Sequence, residues 1–246
     1  MSENKIIKKY RFRDIAWRDL NLIAIGMISL YVLSFVGLAI ASCIYGEISS
    51  LQLAMISTLG QLMAYVIVIF AFYFLHIITF VNRVKNGWLY VKNHWLFLII
   101  VFLVTIILSN VYDQLMQFLP KHLQYSDTQN EMELDKLFEN HAFIPFAFLL
   151  IVIVGPIVEE LVFRHIIIGE LGKKFNFVLM GIVSAVLFTL IHVTDAKSPF
   201  EFGAYLILAI SLVYVYLKSD RKLAASLSLH MLNNLISFIW TIIVIF

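Results

Sequence analysis

Two adjacent carboxylates and a guanidinium stand inside an apolar run, Gly155-Pro156-Ile157-Val158-Glu159-Glu160-Leu161-Val162-Phe163-Arg164. Charges in a membrane segment are costly; they persist facing a protein interior or a water-filled cavity, and there they mark functional sites. On a helix, Glu160 and Arg164 lie four residues apart and can pair on one face. Glu159 is rotated about 100° away and is left out of that pair. The spacing therefore predicts one structural ion pair and one spare carboxylate. The alternative is a charge cluster that is structural throughout.

Two further segments place polar groups in apolar surroundings. His192 closes Phe188-Thr189-Leu190-Ile191-His192, and His230 opens His230-Met231-Leu232-Asn233-Asn234. His230 and Asn234 share a helical face and can point into one cavity. Taken alone, each histidine is more often a helix–helix hydrogen bond than a catalytic group. His76, inside another apolar run without an evident polar partner, reads as a packing or interfacial histidine. Cys43 is the single cysteine, which excludes an intrachain disulfide framework and a multi-cysteine metal site. No serine or cysteine nucleophile is implied, since Ser184 has no sequence-local base.

The elements that must carry these residues follow from composition. The chain is 61% hydrophobic and only 14% charged, with a mean hydropathy of +0.91. Soluble chains carry about 25% charged residues, so this is an integral membrane protein with little room for a soluble domain. Spans long enough to cross a bilayer are predicted near residues 22–45, 52–80, 95–112, 144–170, 176–194, 200–217 and 223–246. Their continuous apolar character predicts helices rather than barrel strands. The expected fold is all-α, a polytopic transmembrane bundle of about seven to eight helices. The second span is long enough to tilt or break, and an eighth short or re-entrant helix fits within 113–143. No cleavable signal peptide is read at the N-terminus.

Charge sets the expected orientation. Lys5, Lys8, Lys9, Arg11, Arg13 and Arg18 precede the first span, with Trp17 suited to the interface. Arg83, Lys85, Lys92, Lys173, Lys174, Lys218, Arg221 and Lys222 fall in connections on the same side. The other side carries only Lys121, Lys136 and Lys197. The positive-inside rule then predicts a cytoplasmic N-terminus in the cell membrane and an outside C-terminus. The acidic connection 113–143 carries Asp113, Asp127, Glu131, Glu133, Asp135 and Glu139 and reads as a solvated outer loop. The alternative is an interfacial segment with Met132, Leu137 and Phe138 on its apolar face. The chain thus divides into a basic segment 1–21, N-terminal spans and acidic loop 22–143, and a region 144–246 that holds the polar motifs.

Depth ties those motifs together. The fourth and fifth spans form a hairpin turning near Lys173 and Lys174, which puts Glu159 and His192 roughly 20–25 Å from the turn. His230 lies roughly 12 Å beyond Lys222 and comes within reach by tilt. Pro156, one turn before Glu159, removes a donor and can kink the helix.

These residues, in this order, resemble the CPBP family of intramembrane proteases. That family comprises the type II CAAX prenyl endopeptidases and their bacterial relatives, also called the ABI domain. Its glutamate-glutamate-x-x-x-arginine motif is matched by Glu159, Glu160 and Arg164. Its aromatic-x-x-x-histidine motif is matched by Phe188 and His192, and its histidine-x-x-x-asparagine motif by His230 and Asn234. The resemblance covers about residues 144–240. It implies peptide-bond hydrolysis by activated water within the membrane, acting on a membrane-associated peptide or protein in peptide maturation or bacteriocin self-immunity.

Under that resemblance Glu159 is the base that deprotonates water, since desolvation raises a carboxylate's proton affinity. His192 orients the water, and His230 and Asn234 donate to the oxyanion. Glu160, Arg164 and Phe188 hold and tune the site, with contact to a substrate carboxylate as the alternative for Arg164. No cofactor is favoured; the alternative is Zn2+ on Glu159, His192 and His230, although no His-Glu-x-x-His signature is present. The expected partners are the bilayer and the substrate, not nucleic acid. Rival functions are a non-catalytic membrane scaffold or chaperone, and a small transporter with Glu159 and His192 as a proton relay.

Overall fold

The computed structural model describes residues 10–125 and 128–245, all helical or irregular, with no strand among them. The expectations placed on Lys5, Lys8, Lys9, Asp127 and Phe246 lie outside those residues. A short turn at Trp17–Leu20 leads into α1, Asn21–Tyr45. Then follow α2, Ser50–Leu75; α3, Ile77–Asn93; α4, Trp95–Met116; and α5, Gln129–Asp135. A long helix α6 runs His141–Phe175. The last three are α7, Phe177–His192; α8, Glu201–Lys218; and α9, Leu223–Ile245. Six of the described helices are long and apolar enough to cross a membrane, and α7 is a shorter apolar helix of 16 residues. The chain is a multi-pass helical membrane protein.

The second predicted span, 52–80, breaks at His76, whose backbone (φ −121°, ψ 17°) leaves the helical region. Beyond the break, α3 places Arg83, Lys85 and Lys92 on a helix rather than in a loop. At the other end, Ser49 caps α2 by accepting from Gln52 N–H, and the Gln52 side chain returns the bond to the Ser49 N–H.

Residues 113–143 differ from the solvated loop that their acidity predicts. Asp113 belongs to α4, and α5 is capped by Thr128, with a 3-10 turn at Lys136–Glu139 behind it. Leu137 and Phe138 are buried against Phe143, Ala147, Val152 and Phe238. Two adjacent large apolar side chains are worth about 1.5–3 kcal/mol each when buried, enough to draw an acidic segment onto the bundle.

Helix α6 sits at the centre. Phe163 and Ile167 pack with Leu98, Phe102, Phe188, Leu212 and Leu229. Val158, Leu161 and Ile166 pack with Leu22, Val68 and Phe72, and Ala147 and Val152 belong to the cluster around Phe138. Burial of its middle turns, where Val158, Glu160, Leu161, Phe163 and Arg164 are all buried, lets this helix carry charges that a lipid-facing span could not. Its hydrogen bonding is not uniform. Wider π turns at Leu149–Val154 and Leu161–Leu171 flank an α-helical stretch Gly155–Glu160. Such turns concentrate at functional sites.

The basic connections meet at one end of the bundle. Lys173 donates to the Asp14 carbonyl and to Glu170, whose carboxylate also accepts from the Ala16 N–H. Arg221 stacks on Phe177, with its guanidinium 4.0 Å from the ring centroid. The segment around α5 packs at the opposite end, where Gln129 N–H donates to Glu201 and Ser198 donates to the Leu123 carbonyl.

Candidate functional site

The α-helical stretch of α6 carries Glu159 and Glu160 on different faces. Glu160 points into protein. It is fully buried, with the Arg164 Nη1 at 3.3 Å and the His230 Nδ1 at 3.1 Å, both from Oε1. Arg164 is equally buried, and its guanidinium lies 4.7 Å from the centroid of the Phe188 ring. A desolvated guanidinium over an aromatic face is stabilised by the ring quadrupole, so Phe188 shares with Glu160 the task of balancing Arg164.

Glu159 points the other way, into a cavity of about 360 Å³. Its Oε2 stands 3.5 Å from His230 Nε2 and 4.0 Å from His192 Nε2. The structure thus brings Glu159, Glu160, Arg164, Phe188, His192 and His230 into one cluster. Phe188 is its hub: its ring centroid is 4.4 Å from that of His192 and 5.7 Å from that of His230.

Both histidines have their tautomers suggested by their partners. His192 Nδ1 lies 2.7 Å from the Phe188 carbonyl, which can only accept, so Nδ1 carries the proton and Nε2 is left for the cavity. His230 Nδ1 faces the Glu160 carboxylate and carries a proton for the same reason. Its Nε2 then faces Glu159 across 3.5 Å. Two lone pairs at that separation repel, so a proton on His230 or on Glu159, or a bridging water, completes the contact.

Asn234 lines the same cavity, but its Nδ2 donates to the carbonyl of Ile151 at 2.9 Å. Arg164 does not line the cavity. Its complete burial leaves packing against Glu160 and Phe188 as the role the geometry describes, rather than contact with a substrate carboxylate.

Several residues of the cavity were not singled out from the sequence. Gln61 donates to the Tyr65 hydroxyl at 3.1 Å, and both lie on the wall formed by α2. Their four-residue spacing in an otherwise apolar span was the available signal. Tyr205 stacks on His192 at 5.0 Å between centroids, and its hydroxyl lies 2.8 Å from Thr128 Oγ1. Glu131 and Leu134 of α5 also line the cavity, so the acidic segment forms part of its wall. His76 does have a polar partner, Asp19, which also bonds to His165.

Residues 141–236 match the family described as type II CAAX prenyl endopeptidase Rce1-like. The chain is 35% identical over 78 residues to the candidate membrane peptidase YdiL of Bacillus subtilis, covering 32% of this chain and 30% of that protein. It is 36% identical over 97 residues to the membrane-embedded CAAX protease MroQ of Staphylococcus aureus, covering 37% of each. It is 32% identical over 120 residues to the UPF0177 protein YbdI of Lactococcus lactis, covering 45% of this chain and 62% of that one. The chain therefore spans about a third of the length of the first two relatives. No solved structure matches it significantly.

Proposed function

Residues 141–236 match the type II CAAX prenyl endopeptidase Rce1-like family, and from that premise we propose that the chain is a CPBP-family intramembrane endopeptidase driven by a glutamate-activated water. The observation that carries the reading is Glu159 Oε2 facing His230 Nε2 at 3.5 Å and His192 Nε2 at 4.0 Å inside a cavity. Such separations suit a water hydrogen-bonded between the carboxylate and an imidazole.

In this mechanism the water donates one hydrogen to Glu159 and the other to His192 Nε2, whose lone pair is presented because Nδ1 is held by the Phe188 carbonyl. Glu159 takes the proton as oxygen attacks the scissile carbonyl. The developing oxyanion is met by His230, protonated on both nitrogens and anchored through Nδ1 to Glu160. With His230 as imidazolium, two carboxylates face two cations and the cluster is neutral. Asn234 contributes its second amide hydrogen, the first being committed to Ile151. Glu159 then passes its proton to the leaving amine. Glu160, Arg164 and Phe188 hold these groups in place.

Zinc is the alternative reagent. The donor types at Glu159, His192 and His230 fit it, and the partners of both Nδ1 atoms resemble those that orient metal-bound imidazoles. A zinc ion there would polarise the carbonyl and acidify water. The metal-free reading is preferred because these three residues are not drawn together as closely as a ligand set: among the described residues, the one triad with every ligand atom within 4.8 Å of the others lies elsewhere.

The substrate class is a membrane-associated peptide or protein, as in peptide maturation or self-immunity to a bacteriocin. Comparing membrane peptidomes of cells with wild-type protein, with Glu159→Gln and without the protein tests the reading. Fragments that accumulate only with the wild type support it. Fragments unchanged by Glu159→Gln reject a glutamate base and leave a scaffold.

A further inference from the structure

A second polar cluster lies less than two turns along the catalytic helix from Glu159, outside its cavity. Asp19, in the turn before α1, places Oδ2 at 3.0 Å from His76 Nε2 and 2.8 Å from His165 Nε2. All three residues are buried, Asp19 completely. Their ligand atoms lie within 4.8 Å of one another. We propose that Asp19, His76 and His165 form a binding site for a zinc-class divalent cation that pins the N-terminal segment and the α2–α3 junction to the catalytic helix.

Donor chemistry points to this class. Two imidazoles and a carboxylate are the ligand set of borderline cations such as Zn2+, Co2+ and Ni2+. The rings are held for convergence: they stand at 85° to each other, 5.8 Å between centroids. Phe72 packs on both, at 4.6 Å from His76 and 5.3 Å from His165. Drawing three donors onto one ion takes small outward shifts, since ligands at about 2.0–2.2 Å from a tetrahedral ion lie somewhat over 3 Å apart.

Charge makes the same demand. Asp19 is a wholly desolvated carboxylate, and its Oδ1 accepts no hydrogen bond. The nearest fixed charge is Arg18, whose Nε lies 3.7 Å from Oδ1 on a side chain 59% exposed. Arg83 acts on His76 from α3 and counts against a cation. Neutral imidazoles bring no charge of their own, so among the described residues the exposed Arg18 is the one fixed positive charge at this buried carboxylate. A dication matches Asp19 and leaves Oδ1 or a water for the fourth position. Phe72 and His165 also border an apolar cavity of about 590 Å³, which gives an entry path.

The alternative is a hydrogen-bonded triad in which both Nε2–H groups donate to Asp19. The two differ in what occupies the point where the donors converge. The proposal does not rest on the peptidase reading, because none of its residues touches the cavity of Glu159.

The test uses the full chain in detergent, stripped with chelator and titrated with Co2+. The expected result is one equivalent of Co2+ with visible d–d absorption, displaced by Zn2+ and not by Mg2+, and a rise in thermal midpoint with zinc. Asp19→Asn and His165→Ala should weaken Co2+ binding by roughly 100-fold or more, while Glu159→Gln and His192→Ala keep it. Should Asp19→Asn or His165→Ala fail to accumulate, X-ray absorption on the zinc-loaded His192→Ala protein decides. Two imidazole ligands there exclude the Glu159 cavity, where His230 alone supplies one. The proposal is overturned by a stripped wild type that takes up neither metal. It is overturned equally by binding that survives in Asp19→Asn and His165→Ala, by binding lost in His192→Ala, or by fewer than two imidazoles on the ion.

Discussion

Asn234 donates a 2.9 Å hydrogen bond to the carbonyl of Ile151, and Pro156 is the reason that carbonyl needs it. In the π turn at Leu149–Val154 the Gly155 N–H donates five residues back, to Leu150. The matching donor for Ile151 would be the N–H of residue 156, which proline lacks. The last polar motif is thereby tied to the first through a backbone group.

Asn234→Ala should cost about 1 kcal/mol of stability, the low end of the penalty for a carbonyl left without a donor, since this one is part-buried beside the cavity. Pro156→Ala restores an N–H at that position. In its background, Asn234→Ala should cost measurably less. A double-mutant cycle on thermal unfolding in detergent measures this; full additivity would show that Pro156 and Asn234 do not share the Ile151 carbonyl.

Glu159→Gln is expected to lower peptide cleavage at least 100-fold, the scale of a lost general base, while the protein still accumulates. The isostere keeps the shape of a side chain that faces the cavity, and loss of the second proton from His230, whose Nε2 faces residue 159, keeps the cluster neutral. Immunoblot level and cleavage of a reporter peptide separate the two effects. Cleavage at the wild-type rate would remove Glu159 as the base.

Arg164→Met should lower accumulation as well as activity. It leaves Glu160 buried with only His230 as partner, and breaking such a pair costs about 3–5 kcal/mol. Adding Glu160→Gln removes the stranded charge and should recover part of the stability without recovering cleavage. If Arg164→Met accumulated normally and were inactive, the residue would instead belong to substrate binding.

The polar motif residues were legible because a polar side chain in an apolar span has few explanations, and helical spacing sorted Glu160 with Arg164. The Asp19 cluster was not legible. His76 has no partner within its own segment, and Asp19 lies 57 residues before it among basic residues. Acidity likewise hid the contribution of residues 128–139. Leu137 and Phe138 looked like a minor apolar face, yet their burial sets Glu131 and Leu134 over the cavity. The π turns of α6 leave no mark in an apolar periodicity.

That acidic wall supplies a further prediction. Tyr205→Phe removes the hydroxyl that meets Thr128 while keeping the ring on His192. It should raise KM for a peptide substrate, or speed product release, with little change in the amount of folded protein. An unchanged KM and kcat would show that the Thr128–Tyr205 contact does not control access.

Orientation can be read by labelling Met132→Cys in a Cys43→Ser background, since Met132 is exposed on α5. The positive-inside rule predicts labelling from outside the cell. Labelling only from the cytoplasmic face would invert the whole arrangement.

Helix α7 has 16 residues, about 24 Å of rise, against a hydrocarbon core of about 30 Å. Lipid tails next to it must shorten, or the boundary of water must dip, to meet the end that carries His192. Hydrolysis inside a bilayer needs a supply of its second reactant. A stunted crossing would bring the aqueous phase toward the imidazole, so under the proposed hydrolysis the depth of the cut would follow partly from the thickness of the surrounding membrane.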